Sequence, residues 1–353
     1  MKILHKTDFP YTAFGGLLKD QHSVWIYQDR IEHNLSDKDA YVWNLEDAIQ
    51  DPTIQKLIER TQVSSTHPFS TETFTVGVCI VLPEKSVLSK PVYVVYPDSD
   101  STEKKVQTLI LGSQFSKGTF VEIFESSSNT KALVQVEAHE SSKITHVKMQ
   151  MQNETTTHEG VTMLCAQRKA VVESISISLG GEKSQNFIQA NLAGEYSSSI
   201  MDGIFVGREK QKTSHDTKIC HLVGHTESFE NYKGILTDQS HGVFRGRIFV
   251  GKNAQKIQAK QMNRNLLLSE EAQIDTSPEL EILADDVKCA HGATIGKLDP
   301  QQLFYLQSRG IPQKQAYSMM IHAFVSEVVD KVADENFANW CFLKIEEHLH
   351  VSR

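Results

Sequence analysis

From residue 74 to residue 296 the chain reads as one short β-type segment after another, with no apolar helical period between them. Segments 74–82, 91–96, 119–124, 132–138, 143–149, 160–165, 171–178, 187–192, 203–206, 218–222, 242–250, 266–268 and 279–283 are apolar and rich in β-branched residues. Many alternate. In Val171-Val-Glu-Ser-Ile-Ser-Ile-Ser the period is two from Glu173 onward, which sends one set of side chains inward and the other outward. The gaps are polar, as in Ser126-Ser-Ser-Asn, Glu140-Ser-Ser and Gly180-Gly-Glu-Lys. A stretch without helices cannot be built from βαβ units, so a sandwich, a barrel and a solenoid remain. The solenoid is favoured. The segments are short and numerous, and they lack clear two-residue hairpin turns of the Asn-Gly or Asp-Gly kind. Stacked in coils, they would bury one continuous apolar interior.

The flanks differ. Residues 1–73 read as a mixed segment with short helices at 39–49 and 53–61, for which Ser36 and Asp51 are candidate N-caps and Pro52 suits a first helical position. Residues 64–73, rich in Ser and Thr, read as a linker. Residues 297–353 form a helical subdomain. Asp299-Pro300 before the run and Gly310 after it mark a helix from cap to stop. Ala316, Met319, Met320, Ala323, Phe324, Val328 and Val332 recur at helical spacing, and Phe337, Trp340, Cys341, Ile345 and Leu349 form a further stripe. These faces are wide enough to cap the open end of a solenoid and still offer a docking surface.

The 353 residues carry a formal charge of −8, which counts against a nucleic-acid binder with its basic stripe. Cys79, Cys165, Cys220, Cys289 and Cys341 lie far apart with no CxxC pair, a pattern that suits a reducing cytoplasm. The first residues lack the apolar core of a signal peptide, and no apolar run is long enough to span a membrane. The expectation is a soluble, cytoplasmic protein.

Candidate chemistry concentrates in Ala284-Asp-Asp-Val-Lys-Cys-Ala-His-Gly-Ala-Thr-Ile-Gly296. Cys289 and His291 are two apart, so on a strand they share a face. Thiolate and imidazole are donors that iron and zinc use, but a closed site takes about four ligands. A partner would have to complete it; otherwise Cys289 is an interior thiol and His291 a satisfied polar residue. His215, Cys220, His221, His225 and His241 form a second cluster whose spacing fits no metal template, and a structural role is the better reading. Asp285-Asp286 are adjacent and would face opposite ways on a strand, which points to a turn rather than to acid–base chemistry. The chain has no phosphate-cradling GxxxxGK[ST] loop and no GxSxG elbow.

Several ordered segments carry a resemblance. They are Tyr232-Lys-Gly-Ile-Leu, Gly242-Val-Phe-Arg-Gly-Arg-Ile-Phe-Val, Gln261-Met-Asn-Arg-Asn-Leu-Leu-Leu-Ser, Ala284 through Gly296, and Leu303-Phe-Tyr-Leu-Gln-Ser-Arg-Gly-Ile. Together they resemble the SufB/SufD family of Suf iron–sulfur cluster assembly scaffolds. The Cys-x-His-Gly-Ala-Thr version differs from the His-Glu-Ala-Thr type of the SufB branch. The resemblance implies a right-handed parallel β-helix with helical terminal parts and a non-catalytic subunit. It implies a heterodimer with a SufB-type paralogue and docking of a SufC-type ABC ATPase on C-terminal helices, at about 300–349. A transient cluster or iron would be shared at the paralogue interface, with His291 and neighbouring Cys289 as this chain's ligands and no cofactor held tightly by this chain alone. The N-terminal helical part is short for the family. Ile257-Gln258 and Glu230-Asn231 stand where Thr-Asp and Arg-Gln are common. Two alternatives compete with this reading: a polysaccharide-processing enzyme on a β-helix, and a homodimeric β-helix interaction protein.

Overall fold

The structure, a computed structural model, describes residues 22–350 apart from 28–29, 37, 75, 97–101 and 333. Its strands fall into two sheets that the chain visits in turn. One contains β5 (Val92–Tyr96), β7 (Lys117–Phe124), β9 (Lys143–Gln150), β11 (Val171–Ser178), β13 (Ser198–Gly207), β15 (Glu227–Leu236), β17 (Ile257–Leu267) and β19 (Val287–Gly296). The other contains β4 (Val76–Leu82), β6 (Glu103–Gly112), β8 (Asn129–Ala138), β10 (Thr157–Ala166), β12 (Lys183–Leu192), β14 (Lys212–His221), β16 (His241–Val250) and β18 (Gln273–Ile282). All these neighbours pair in parallel. Lys212 lies beside His241, and His241 beside Gln273, so a coil takes up about thirty residues. The chain is therefore a parallel β-solenoid, as the alternating segments imply.

Each coil turns one corner through a left-handed residue that is not glycine. Phe115, Ser141, Lys169, Tyr196, His225 and Lys256 have φ between 52° and 63°. Such a backbone is unfavourable for L-residues, but each of these N–H groups finds a carbonyl on the next coil, as in Ser141 to Arg168 at 3.0 Å and His225 to Gln255 at 2.9 Å. A small hydroxyl residue often follows, at Ser116, Ser142, Ser197 and Thr226. Ser116 and Ser142 donate to the carbonyls of Ser113 and His139 at 2.7 and 2.6 Å. This faint recurrence is the repeat signal of the fold.

The N-terminal segment belongs to the solenoid more than its sequence implies. β1 (His22–Tyr27) extends the first sheet beyond β5, and β2 (Arg30–His33) closes it antiparallel. The helix expected at 39–49 is instead β3 (Tyr41–Asn44), antiparallel to β4, followed by a short α1 (Leu45–Ala48) capped by Asn44 rather than by Ser36. Pairing with an exposed sheet edge outweighs local helix propensity there. α2 (Pro52–Arg60) forms with Asp51 as its cap and Pro52 in the first turn. The stretch 64–73 is not a loose linker. It holds a one-turn 3₁₀ helix, and its buried Phe69 packs with Leu133, Val161 and Met163 on the outside of the second sheet.

The three C-terminal helices are α3 (Pro300–Ser308), α4 (Gln313–Val329) and α5 (Glu335–His348). They do not cap the end of the solenoid. α4 and α5 lie along the flank of the first sheet, where Val325, Val328, Phe337, Cys341 and Ile345 cover Tyr93, Val121, Val147, Ile175, Ile204 and Ile235. Lys331 reinforces this contact with two 2.8 Å bonds to the buried carboxylate of Asp202. The outward row of this sheet is apolar, so burying a flank gains more than covering the narrow end.

Candidate functional site

The two ends of the solenoid are finished differently. At the N-terminal end β2 and β3 close the sheets with antiparallel strands. At the other end, β18 pairs with β16 and β19 with β17, and no described strand lies beyond either. No residue of these two ten-residue strands is fully buried. Long edges of this kind present unpaired N–H and C=O groups that can template another chain.

Cys289 and His291 lie on β19, in register beside Ala259 and Gln261 of β17. Ala259 and Gln261 are buried and face the interior, so Cys289 and His291 continue the inward row. Cys289 is half-buried and packs with the last apolar layer around Ile257, Ala259 and Val250. Burial pushes its thiol up, against a backbone hydrogen bond from Ala259. His291 is exposed, because no further coil covers it. The expected pair is thus brought to one row at the open end, with the imidazole presented and the thiol set back. A thiol and an imidazole suit iron, but two donors fall short of a closed site.

The second cluster is dispersed. His215 is buried and stacked on Phe205, with 5.2 Å between ring centroids. His221 bonds Thr226 and Ser228 at 2.7 and 2.9 Å. His225 stacks on Tyr196 at a corner, and His241 meets Asp275 at 2.9 Å. Cys220 is buried on the outer face of its sheet. Among the described residues no three His, Cys, Asp or Glu side chains are grouped to hold a metal. Asp286 serves a turn: its carbonyl accepts from Lys256 at 2.6 Å, and its N–H donates to Gln255.

Sequence reasoning missed the polar interior. In β9 and β11 the apolar row of Val147, Met149, Ile175 and Ile177 faces outward under the helices, and His146, Lys148, Ser174 and Ser176 face the axis. Glu122 accepts from His146 at 2.6 Å, and Lys148 donates to Asn186 at 2.6 Å. Burial pulls Lys148 down to about 7, against the attraction of Glu122, and lowers His215 to about 3. Glu230, buried on β15, is pushed up to about 7 against the pull of Thr217 and Gln261. The signal was the alternation itself, assigned to the wrong face.

The α3 helix stands off the body with no buried residue, leaving Phe304 and Tyr305 71% and 56% exposed. Between it and α4 runs a groove of about 810 Å³ lined by Leu266, Leu298, Leu306, Met320 and Phe324.

The chain is thus a two-sheet parallel solenoid with flanking helices and a Cys-x-His strand at its open end. Residues 97–324 match the model of the SUF system FeS cluster assembly SufBD core domain, and the chain belongs to that family. It is similar to the iron–sulfur cluster assembly protein SufD of Escherichia coli, 33% identical over 230 residues, which cover 65% of this chain and 54% of that protein. It is also similar to SufD of Bacillus subtilis, 30% identical over 268 residues, 73% of this chain and 61% of that protein. A SufBD family protein of Synechocystis is 33% identical over 195 residues, covering 55% and 43% of the two chains. The chain spans about half the length of the curated relatives it matches. No helix among the described residues is long and apolar enough to cross a membrane.

Proposed function

We propose that the chain is a SufD-type, non-catalytic scaffold subunit that joins a SufB-type paralogue through the open end of its solenoid. The observation that carries this reading is the asymmetry of the two ends: one closed by antiparallel strands, the other ending on two uncovered ten-residue edges. A partner laying its own strands there would satisfy the backbone and bring ligands to His291 and Cys289. Iron or a nascent cluster is cargo in this scheme, held between the two chains and passed on. The exposed aromatic side of α3 and its groove with α4 would receive a SufC-type ATPase, because large exposed apolar patches mark contact surfaces.

The test is anaerobic co-expression of the tagged chain with SufB- and SufC-type partners. Recovery of both, with iron and sulfide, supports the reading. Recovery of a homodimer or of the chain alone would refute the heteromeric scheme.

A further inference from the structure

Gln261 is a residue whose environment asks for one more partner. It is fully buried on β17 and in register with His291 on one side and Glu230 on the other. Its amide nitrogen donates to the Glu230 carboxylate at 2.6 Å. The donor is thereby committed to Glu230, which leaves the amide oxygen to find another partner. That oxygen is buried with no hydrogen-bond partner. Leaving a buried acceptor unpaired is costly, and side chains at adjacent register positions of a parallel sheet stand about 4.8 Å apart.

The surroundings keep this arrangement in place. A Cβ added at Gly246, on the opposite sheet, would lie 2.2 Å from the Gln261 amide nitrogen. The bare glycine therefore makes room for the Gln261 side chain. Asn263, two residues along the same inward row, has its own partners in Tyr232 and Thr276 at 3.1 and 2.8 Å.

We propose that Gln261, oriented by Glu230, is the positioning residue for His291. A rotation of the exposed His291 side chain about its own bonds brings a ring N–H to the Gln261 amide oxygen, which accepts it, fixes the tautomer and turns the other ring nitrogen toward the open edge. A histidine that ligates metal commonly has its second nitrogen fixed in this way. The consequence for metal rests on the ligand role proposed for His291; the tautomer bias does not.

The experiment uses the full chain labelled with ¹⁵N in histidine. Long-range ¹H–¹⁵N correlation reads the tautomer of His291, whose signals are assigned from their loss in His291→Ala. One tautomer should dominate in the native chain. Gln261→Leu should change the ratio by about fivefold, the effect of one net hydrogen bond. Glu230→Gln should preserve the ratio, because the new amide oxygen still accepts from Gln261. Thermal melts report whether each variant is folded. An unbiased native imidazole, or the same ratio in folded Gln261→Leu, would overturn the proposal. Should Gln261→Leu not fold, Gln261→Asn, too short to reach, is expected to give the same loss. A Co²⁺ titration of the same variants, each in the complex with the SufB-type paralogue that completes the site, addresses the ligand role separately. A fall of about 10–100-fold in affinity for Gln261→Leu is expected. No Co²⁺ binding with the tautomer bias intact would count against the ligand role and leave the positioning role standing.

Discussion

Replacing Glu230 by glutamine should make the protein more stable, by an amount that grows from pH 4.5 to pH 7 and then levels off. Burial holds the carboxyl at about 7, where an ordinary glutamate sits at 4.5. Between these values the folded chain keeps a proton that the unfolded chain has lost. The native state binds more protons there, so stability falls as pH rises from 4.5 to 7 and then levels off. At 1.36 kcal/mol for each tenfold change, the full loss is about 3 kcal/mol. Glutamine keeps the acceptor for Gln261 and carries no charge. Glu230→Gln should therefore gain about 3 kcal/mol over the native chain at pH 8 and less than about 1 kcal/mol at pH 5. Urea unfolding midpoints of both proteins at the two pH values measure this. Asp202, pushed up to about 6 by burial, also raises Glu230 through its charge, so part of the gain at pH 8 comes from relieving the repulsion between the two carboxylates. An equal difference at pH 5 and pH 8 would refute the reasoning, since it would show that Glu230 is charged, or neutral, across the whole range.

His291→Ala should cost about 1 kcal/mol, because the exposed side chain gives up only its hydrogen bond to Gln261, and should abolish cluster formation in the complex with the paralogue; unchanged iron and sulfide content would remove its ligand role. Phe337→Ala should cost about 3–5 kcal/mol, because the ring is fully buried against Tyr93 and Trp340, and hydrogen exchange should report loosening of α5. Lys331→Met leaves the Asp202 carboxylate buried without its partner; with Lys331 44% exposed the cost should be about 1–2 kcal/mol, and adding Asp202→Asn should recover most of it in a double-mutant cycle. Phe304→Asp should weaken capture of the ATPase at least tenfold without shifting the melting temperature, because the ring is buried against nothing within the chain.

Local chemistry explains what was readable. Asp299, Pro300 and Gly310 bound a helix within a dozen residues of one another, and α3 forms between them. The β11 boundaries follow from the alternation in Val171 to Ser178. Strands with polar inward residues were harder: β15, with Ser228 and Glu230 on its inner row, lacks the apolar alternation that marks a strand, and β17 was legible only at 266–268. The helix expected at 39–49 failed because the edge of β4, a non-local partner, took up residues 41–44 as a strand.

The sequence by itself determined that the chain is a succession of short strands followed by helices, and that a thiol and an imidazole two residues apart would share one face if their segment were a strand. Tertiary structure decided what those faces meet. It laid α4 and α5 along the flank instead of over the end, and that choice turned the apolar rows of β9 and β11 outward and left polar rows around the axis. It also left β19 uncovered, so that His291 faces solvent while Cys289 closes the last apolar layer. The physical reason is the length of the coil. Neighbours in each sheet, such as Glu230, Gln261 and His291, come from successive coils about thirty residues apart, and parallel pairing across that distance carries no local signature.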